Sequence, residues 1–119
     1  MAKRFLFMFN NPPYSGIYAQ EMLDIVLTAA AFDQKVTLLL LDDGVFQLKR
    51  GQQPEQYRLK DTSALFRALE VYDVNEIYVE QESLRERNLS ADNLVLPVKT
   101  VARDRVSGFI ANFDVVFSV

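Results

Sequence analysis

The chain has 119 residues, half of them hydrophobic, and a net charge of −3 with acids and bases mixed along its length; this fits one domain around one core. A duplex-binding domain needs a basic stripe to neutralise phosphates, and Lys49-Arg50 and Arg103/Arg105 are only pairs, so no direct contact with nucleic acid is expected. Cysteine and histidine are both absent, which excludes disulfides, persulfide carriage on this chain and a Cys/His zinc site, and removes the usual base of neutral pH.

The chain opens with "MAKRFLFMFNNPP". A basic end and a short apolar run pass straight into Asn and Pro, without the small-residue cleavage site of a signal peptide. Phe5–Phe9 therefore reads as a first strand and the protein as intracellular, in the cytoplasm. No run reaches the roughly 18 apolar residues of a membrane span, so no membrane role is expected. "FNNPPYSG" follows, at a place where α/β folds often hold phosphate. It lacks the glycine spacing of the dinucleotide and P-loop fingerprints, and its two prolines remove backbone donors. Tyr14 and Ser15 are candidate ligand contacts, against a plain turn that caps the next helix.

That helix is expected over about Ile17 to Phe32, with Gln20, Asp24 and Thr28 on one polar face and almost everything else apolar. A surface helix usually keeps an apolar stripe a little over 100° wide, and this arc is wider. Two explanations stand side by side: cover by the domain's own loops, or contact with a partner. On the second, Met22, Ile25, Val26 and Phe46 are the candidate interface residues. A second strand, Val36–Leu41, ends in "LLLLDDGVFQL". Asp42 and Asp43 are candidates for a metal pair, against a strand-to-helix turn in which Asp43 caps, Gly44 supplies a permissive backbone and Val45, Phe46 and Leu48 pack. "KRGQQPEQ", Lys49 to Gln56, is a polar loop without periodicity and a candidate partner-facing segment.

A second helix is predicted after the cap residues Asp61-Thr62-Ser63, burying Leu65, Phe66 and Leu69. The third strand, Ile77–Val79, lies inside "NEIYVEQESLRERN" and delivers Glu80, Gln81, Glu82 and Ser83 to the carboxyl rim of the sheet, where ligands of α/β folds usually sit. Ser83-Leu84-Arg85-Glu86 matches a capping box opening a short helix that ends at Asn88. Glu80 and Glu82 form an anion-friendly corner with no reactive group. A fourth strand is expected at Val95–Val98, a last helix over about Ala102–Asn112 with Val106, Phe109, Ile110 and Phe113 on one face, and a fifth strand at Val115–Val119. Strand and helix in alternation predict an α/β domain with a parallel sheet between helices.

Taken in order, "PPYSG", "AQEMLDIVLTAAAFDQKVTLLLLDDGVFQL", "GQQPEQY", "VYDVNEIYV", "SLRERNL" and "ANFDVVFSV" resemble, over essentially the whole chain, the TusC (DsrF-like) family of the DsrE/DsrF superfamily. The resemblance implies a single three-layer α/β/α domain over residues 1–119 with a five-stranded, mainly parallel sheet, and no cofactor. It implies a non-catalytic subunit that joins TusB-like and TusD-like subunits in a heterohexamer relaying persulfide sulfur during 2-thiolation of the tRNA wobble uridine. It further implies that the relay cysteine belongs to the TusD-like subunit, at the end of its third strand, the place Glu80 occupies here. Two alternatives stay open. One is a DsrF-type subunit serving sulfur oxidation. The other is a small-molecule enzyme built on Glu80 and Glu82 with Tyr14, or on Asp42 and Asp43 with a metal.

Overall fold

The computed structural model describes residues 3–12, 18–49, 66 and 68–118. Strands β1 (Arg4–Phe9), β2 (Lys35–Leu40), β3 (Glu76–Glu80), β4 (Lys99–Val101) and β5 (Val115–Ser118) lie in the order β4-β3-β2-β1-β5. All four pairings are parallel. The run Leu38-Leu39-Leu40 is fully buried because helical layers cover both faces of the sheet, and so it shows no alternation.

Alternate residues nonetheless go to different layers. Phe7, Phe9, Leu38, Leu40, Ile77 and Val79 share a face with Met22, Leu23 and Val26 of helix α1 (Tyr18–Ala31). Phe66 meets Phe9 edge-on on that side, with ring centroids 5.3 Å apart. Burying each such large side chain contributes about 1.5–3 kcal/mol. Leu6 and Leu39 point the other way and are also fully buried. On their side Tyr78 of β3 meets Phe109 of the short helix Val106–Ile110, which completes the three layers.

The expected first helix stands, and its wide apolar arc is explained mostly from within. Met22, Leu23, Val26 and Ala29 are buried in the core, while Leu27 and Ala30 flank it. Burial therefore removes Met22 and Val26 from the candidate interface set. Ile25 is 44% exposed, and Phe46 is half-buried. Leu69 and Phe66 are buried as expected, although residues 68–72 form a 3-10 turn; Asp61, Thr62, Ser63 and Leu65 lie outside the described residues. So do Tyr14, Ser15 and residues 50–56 of the polar loop.

Two expectations need correction. The fourth strand is not Val95–Val98 but Lys99–Val101. Pro97 cannot donate to a ladder, and Leu94 instead makes an antiparallel bridge with Lys49. The last helix is also shorter than expected. It is a 3-10 turn at Arg103–Arg105 followed by Val106–Ile110, although Val106, Phe109, Ile110 and Phe113 do share the half-buried face.

Candidate functional site

The carboxyl rim is built where β3 runs directly into helix α2 (Gln81–Glu86). Glu80 is the N-cap residue, extended at φ −66° and ψ 122°. The capping box expected at Ser83 is therefore displaced: Ser83 lies one turn inside the helix and is fully buried. Its hydroxyl donates to Glu80 Oε1 and accepts the Asp42 backbone N–H at 2.8 Å. A capping box does occur further on, from Ser90 to Asn93. Asn88 ends the helix with φ 56°, as a residue tolerant of the left-handed region should.

Glu80 is 3% exposed. Burying a carboxylate is unfavourable unless it is paired and hydrogen-bonded, and Arg103 supplies the partner. Its Nε and Nη2 donate to Glu80 Oε1 at 3.1 and 3.0 Å. The same guanidinium forks onto Glu86, Nη1 to Oε2 at 3.0 Å and Nη2 to Oε1 at 2.7 Å. Its backbone N–H donates to Glu82 Oε1 at 2.9 Å. Alongside, Arg87 Nε donates to Asp43 Oδ1 at 2.9 Å and Nη1 to the Ser83 carbonyl at 3.2 Å.

The corner is thus a closed ion-pair knot rather than an open anion pocket. One carboxylate oxygen takes a hydroxyl and two guanidinium N–H groups, and general acid–base work would need a carboxyl free to exchange its proton with a substrate. Hydrogen bonds from Arg103 hold Glu86 below its ordinary value of 4.5. Glu86 and then Glu80 push Arg103 up, so it stays charged at every working pH. Asp43 is engaged by Arg87, and among the described residues no group of three or more acids, histidines or cysteines is placed to hold a metal ion.

The sequence brought Glu80, Glu82, Ser83 and Glu86 to this corner, and the structure adds Arg103. The signal for it was the sheet register. Glu80 pairs with Val101, which sets residue 103 just beyond the rim, but a fourth strand placed at Val95–Val98 conceals that.

At the other end of β3, Lys99 Nζ lies 3.0 Å from Glu76 Oε2. The Lys99 hydrogen bond lowers Glu76, and the same pair raises Lys99 above 10.5. Glu76 and Glu86 have folded values below their unfolded 4.5, so their contribution is present above that pH and is lost as pH falls through the folded values. Lys99 contributes below 10.5, and its share is lost as pH rises through the raised value. All are exposed pairs, so both effects should be small and weakened by salt. With no histidine in the chain, thermal melts should show a flat midpoint from about pH 6 to 8 and a salt-sensitive fall below about pH 4.5. A step near pH 6.5 would contradict this.

A family model described as DsrE/DsrF-like matches residues 3–119 of the chain. The "Intracellular sulfur oxidation protein DsrF" of Allochromatium vinosum is 46% identical over 95 residues, 80% of this chain and 70% of that protein. A "Protein TusC homolog" of Pseudomonas aeruginosa is 38% identical over 119 residues, all of both chains. Among solved structures, the ychN protein from E. coli matches with a TM-score of 0.82 over all of both chains at 18% identity, a likeness of fold alone.

Proposed function

The chain belongs to the DsrE/DsrF-like family, and from that premise we propose that it is a non-catalytic subunit of a TusBCD-type sulfur-relay complex supporting 2-thiolation of the tRNA wobble uridine. Its work is to hold and position a neighbour that carries the relay cysteine. The observation that carries this reading is the end of β3. Glu80 stands in the place proposed for the partner subunit's cysteine, and its carboxylate is buried and bound to Arg103 and Ser83. A carboxylate cannot form a persulfide, and no residue of the chain has a thiol. The full-length likeness to a protein named as a TusC homolog favours this role. Assembly takes place with TusB-like and TusD-like subunits in the cytoplasm; among the described residues no helix is long and apolar enough to cross a membrane.

A second reading is a DsrF-type subunit in sulfur oxidation, favoured by the 46% identity to the Allochromatium protein. Deleting the gene separates the two readings: loss of 2-thiouridine from tRNA with sulfur oxidation intact supports the first, and the converse supports the second.

Ile25 and Phe46 remain the contact candidates. Co-expression with both partner genes should give one species on size-exclusion chromatography whose mass is that of a dimer of heterotrimers. Ile25→Asp, at a position exposed in the free chain, should leave the melting temperature of this chain unchanged while weakening co-purification. A chain that stays monomeric beside both partners defeats the assembly reading, and undisturbed assembly of the Ile25 variant removes that contact.

A further inference from the structure

The sheet face under helix Val106–Ile110 changes character along the strands. Its centre carries Leu6 and Leu39, both fully buried. By the strand register, the amino-terminal ends of β1, β2 and β3 place Arg4, Lys35, Thr37, Glu76 and Tyr78 on that same face. A face lying beneath a helical layer is ordinarily apolar throughout, so a polar half is an exception that needs a cause. At this place the layers part around a cavity of about 710 Å³, bounded by those residues together with Phe109, Phe113 and Asn112. Cavities holding small ligands typically measure about 300–1,000 Å³.

Two chemistries line this cavity. One is aromatic: Phe109 lies between Tyr78 and Phe113, with centroids 4.7 and 5.3 Å away and the rings tilted by 58° and 54°. Phe109 and Phe113 are both half-buried. The other is cationic. The Arg4 guanidinium lies 4.9 Å from the Phe113 ring centroid and donates from Nη1 to the Asn112 carbonyl at 2.8 Å, which holds it in place. Lys35 has no ion pair among the described residues. Of the two acids lining the cavity, Glu76 is held by Lys99, which leaves Asp73 beside Arg4 and Lys35.

We propose that this cavity binds a small heteroaromatic anion of mononucleotide size, its ring against Phe109 and Phe113 and its phosphate or carboxylate between Arg4 and Lys35. The site lies at the opposite end of the strands from the Glu80–Arg103 knot, and it stands whether or not the sulfur-relay reading does. The free mononucleotide is the ligand form; a nucleotide within an RNA strand shares the chemistry but would need the basic tract this chain lacks.

Calorimetric titration of the full chain with AMP, adenosine, inorganic phosphate and a short adenylate RNA tests it. AMP should bind saturably at submillimolar concentration, with adenosine and phosphate each weaker by about tenfold or more, since each lacks one of the two contacts. Lys35→Gln removes an exposed ammonium that has no ion pair among the described residues, so it should fold normally and still lose AMP affinity severalfold. Phe109 and Phe113 ring resonances should shift on addition of AMP and stay still with phosphate alone. No saturable AMP binding, AMP affinity unchanged in Lys35→Gln, or binding of RNA without AMP each overturns the proposal.

Discussion

Gly44→Ala is expected to abolish the folded state. Gly44 sits in the 3-10 turn Asp42–Leu48 that folds back beneath the end of β1. Leu41 N–H donates to the Phe9 carbonyl at 3.1 Å, and Gly44 N–H donates to the Leu41 carbonyl at 2.9 Å. A Cβ at Gly44 would lie 1.8 Å from the Phe9 carbonyl oxygen and 2.5 Å from its carbon. Both are backbone atoms of the last β1 residue, which pairs with Leu40 of β2 and whose carbonyl accepts the Leu41 N–H, so neither moves away without breaking that edge of the ladder. The sequence suggested a glycine needed for backbone freedom; the structure shows instead a glycine needed for close approach. Overpacking against backbone belongs with the rare losses above about 4 kcal/mol, and a domain of this size holds only about 5–15 kcal/mol in all.

Gly108→Ala is the matched control. Its added Cβ meets nothing within 4 Å inside helix Val106–Ile110, and alanine is the better helix former by up to about 1 kcal/mol. The pair can be read by soluble yield and thermal melting: no cooperative transition for the first, an unchanged or slightly higher midpoint for the second. A Gly44→Ala protein melting within a few degrees of the parent would show the steric argument to be wrong.

Arg103→Leu should give the next largest loss. The substitution strips Glu80, 3% exposed in the parent, of both guanidinium donors and leaves its carboxylate with the Ser83 hydroxyl as donor among the described residues. Breaking one side of a buried pair is strongly unfavourable because the other charge stays behind without compensation. Removing both charges is far milder, so Glu80→Leu/Arg103→Leu should melt above Arg103→Leu alone. Urea titrations of the two single variants and the double variant give the coupling directly. A double variant no more stable than Arg103→Leu would mean that Arg103 acts through Glu86 and Glu82 rather than through Glu80. Only tertiary placement buries Glu80: no local pattern indicates it, since the rank order of residue burial puts glutamate almost always outside.

Much of the architecture was legible in local patterns. Apolar runs without alternation, such as Leu38–Leu40, are buried on both faces in a covered parallel sheet, and the sheet is parallel throughout the described strands. Four of the five strands appear within a residue of where their runs place them. Helix α1 matches its predicted span closely, because a long periodic segment carries its own signal. The fourth strand failed because an edge strand with one neighbour tolerates exposed Lys99 and Thr100, while Val95–Val98, the more apolar choice, contains a proline. Hydrophobicity there misled, and only the hydrogen-bond register decided.

The candidate site divides the same way. From the sequence alone it follows that the chain has no thiol and no imidazole, and that Glu80 to Ser83 stand at a strand end, because composition is a property of the chain and a strand end is a local one. That Glu80 is sealed by an arginine 23 residues downstream, that Ser83 ties the helix to Asp42 rather than capping it, and that Met22 and Val26 turn inward while Ile25 does not were settled by folding. These are long-range pairings, and the free energy that selects them comes from which surfaces meet when the sheet closes, which no window of neighbouring residues contains.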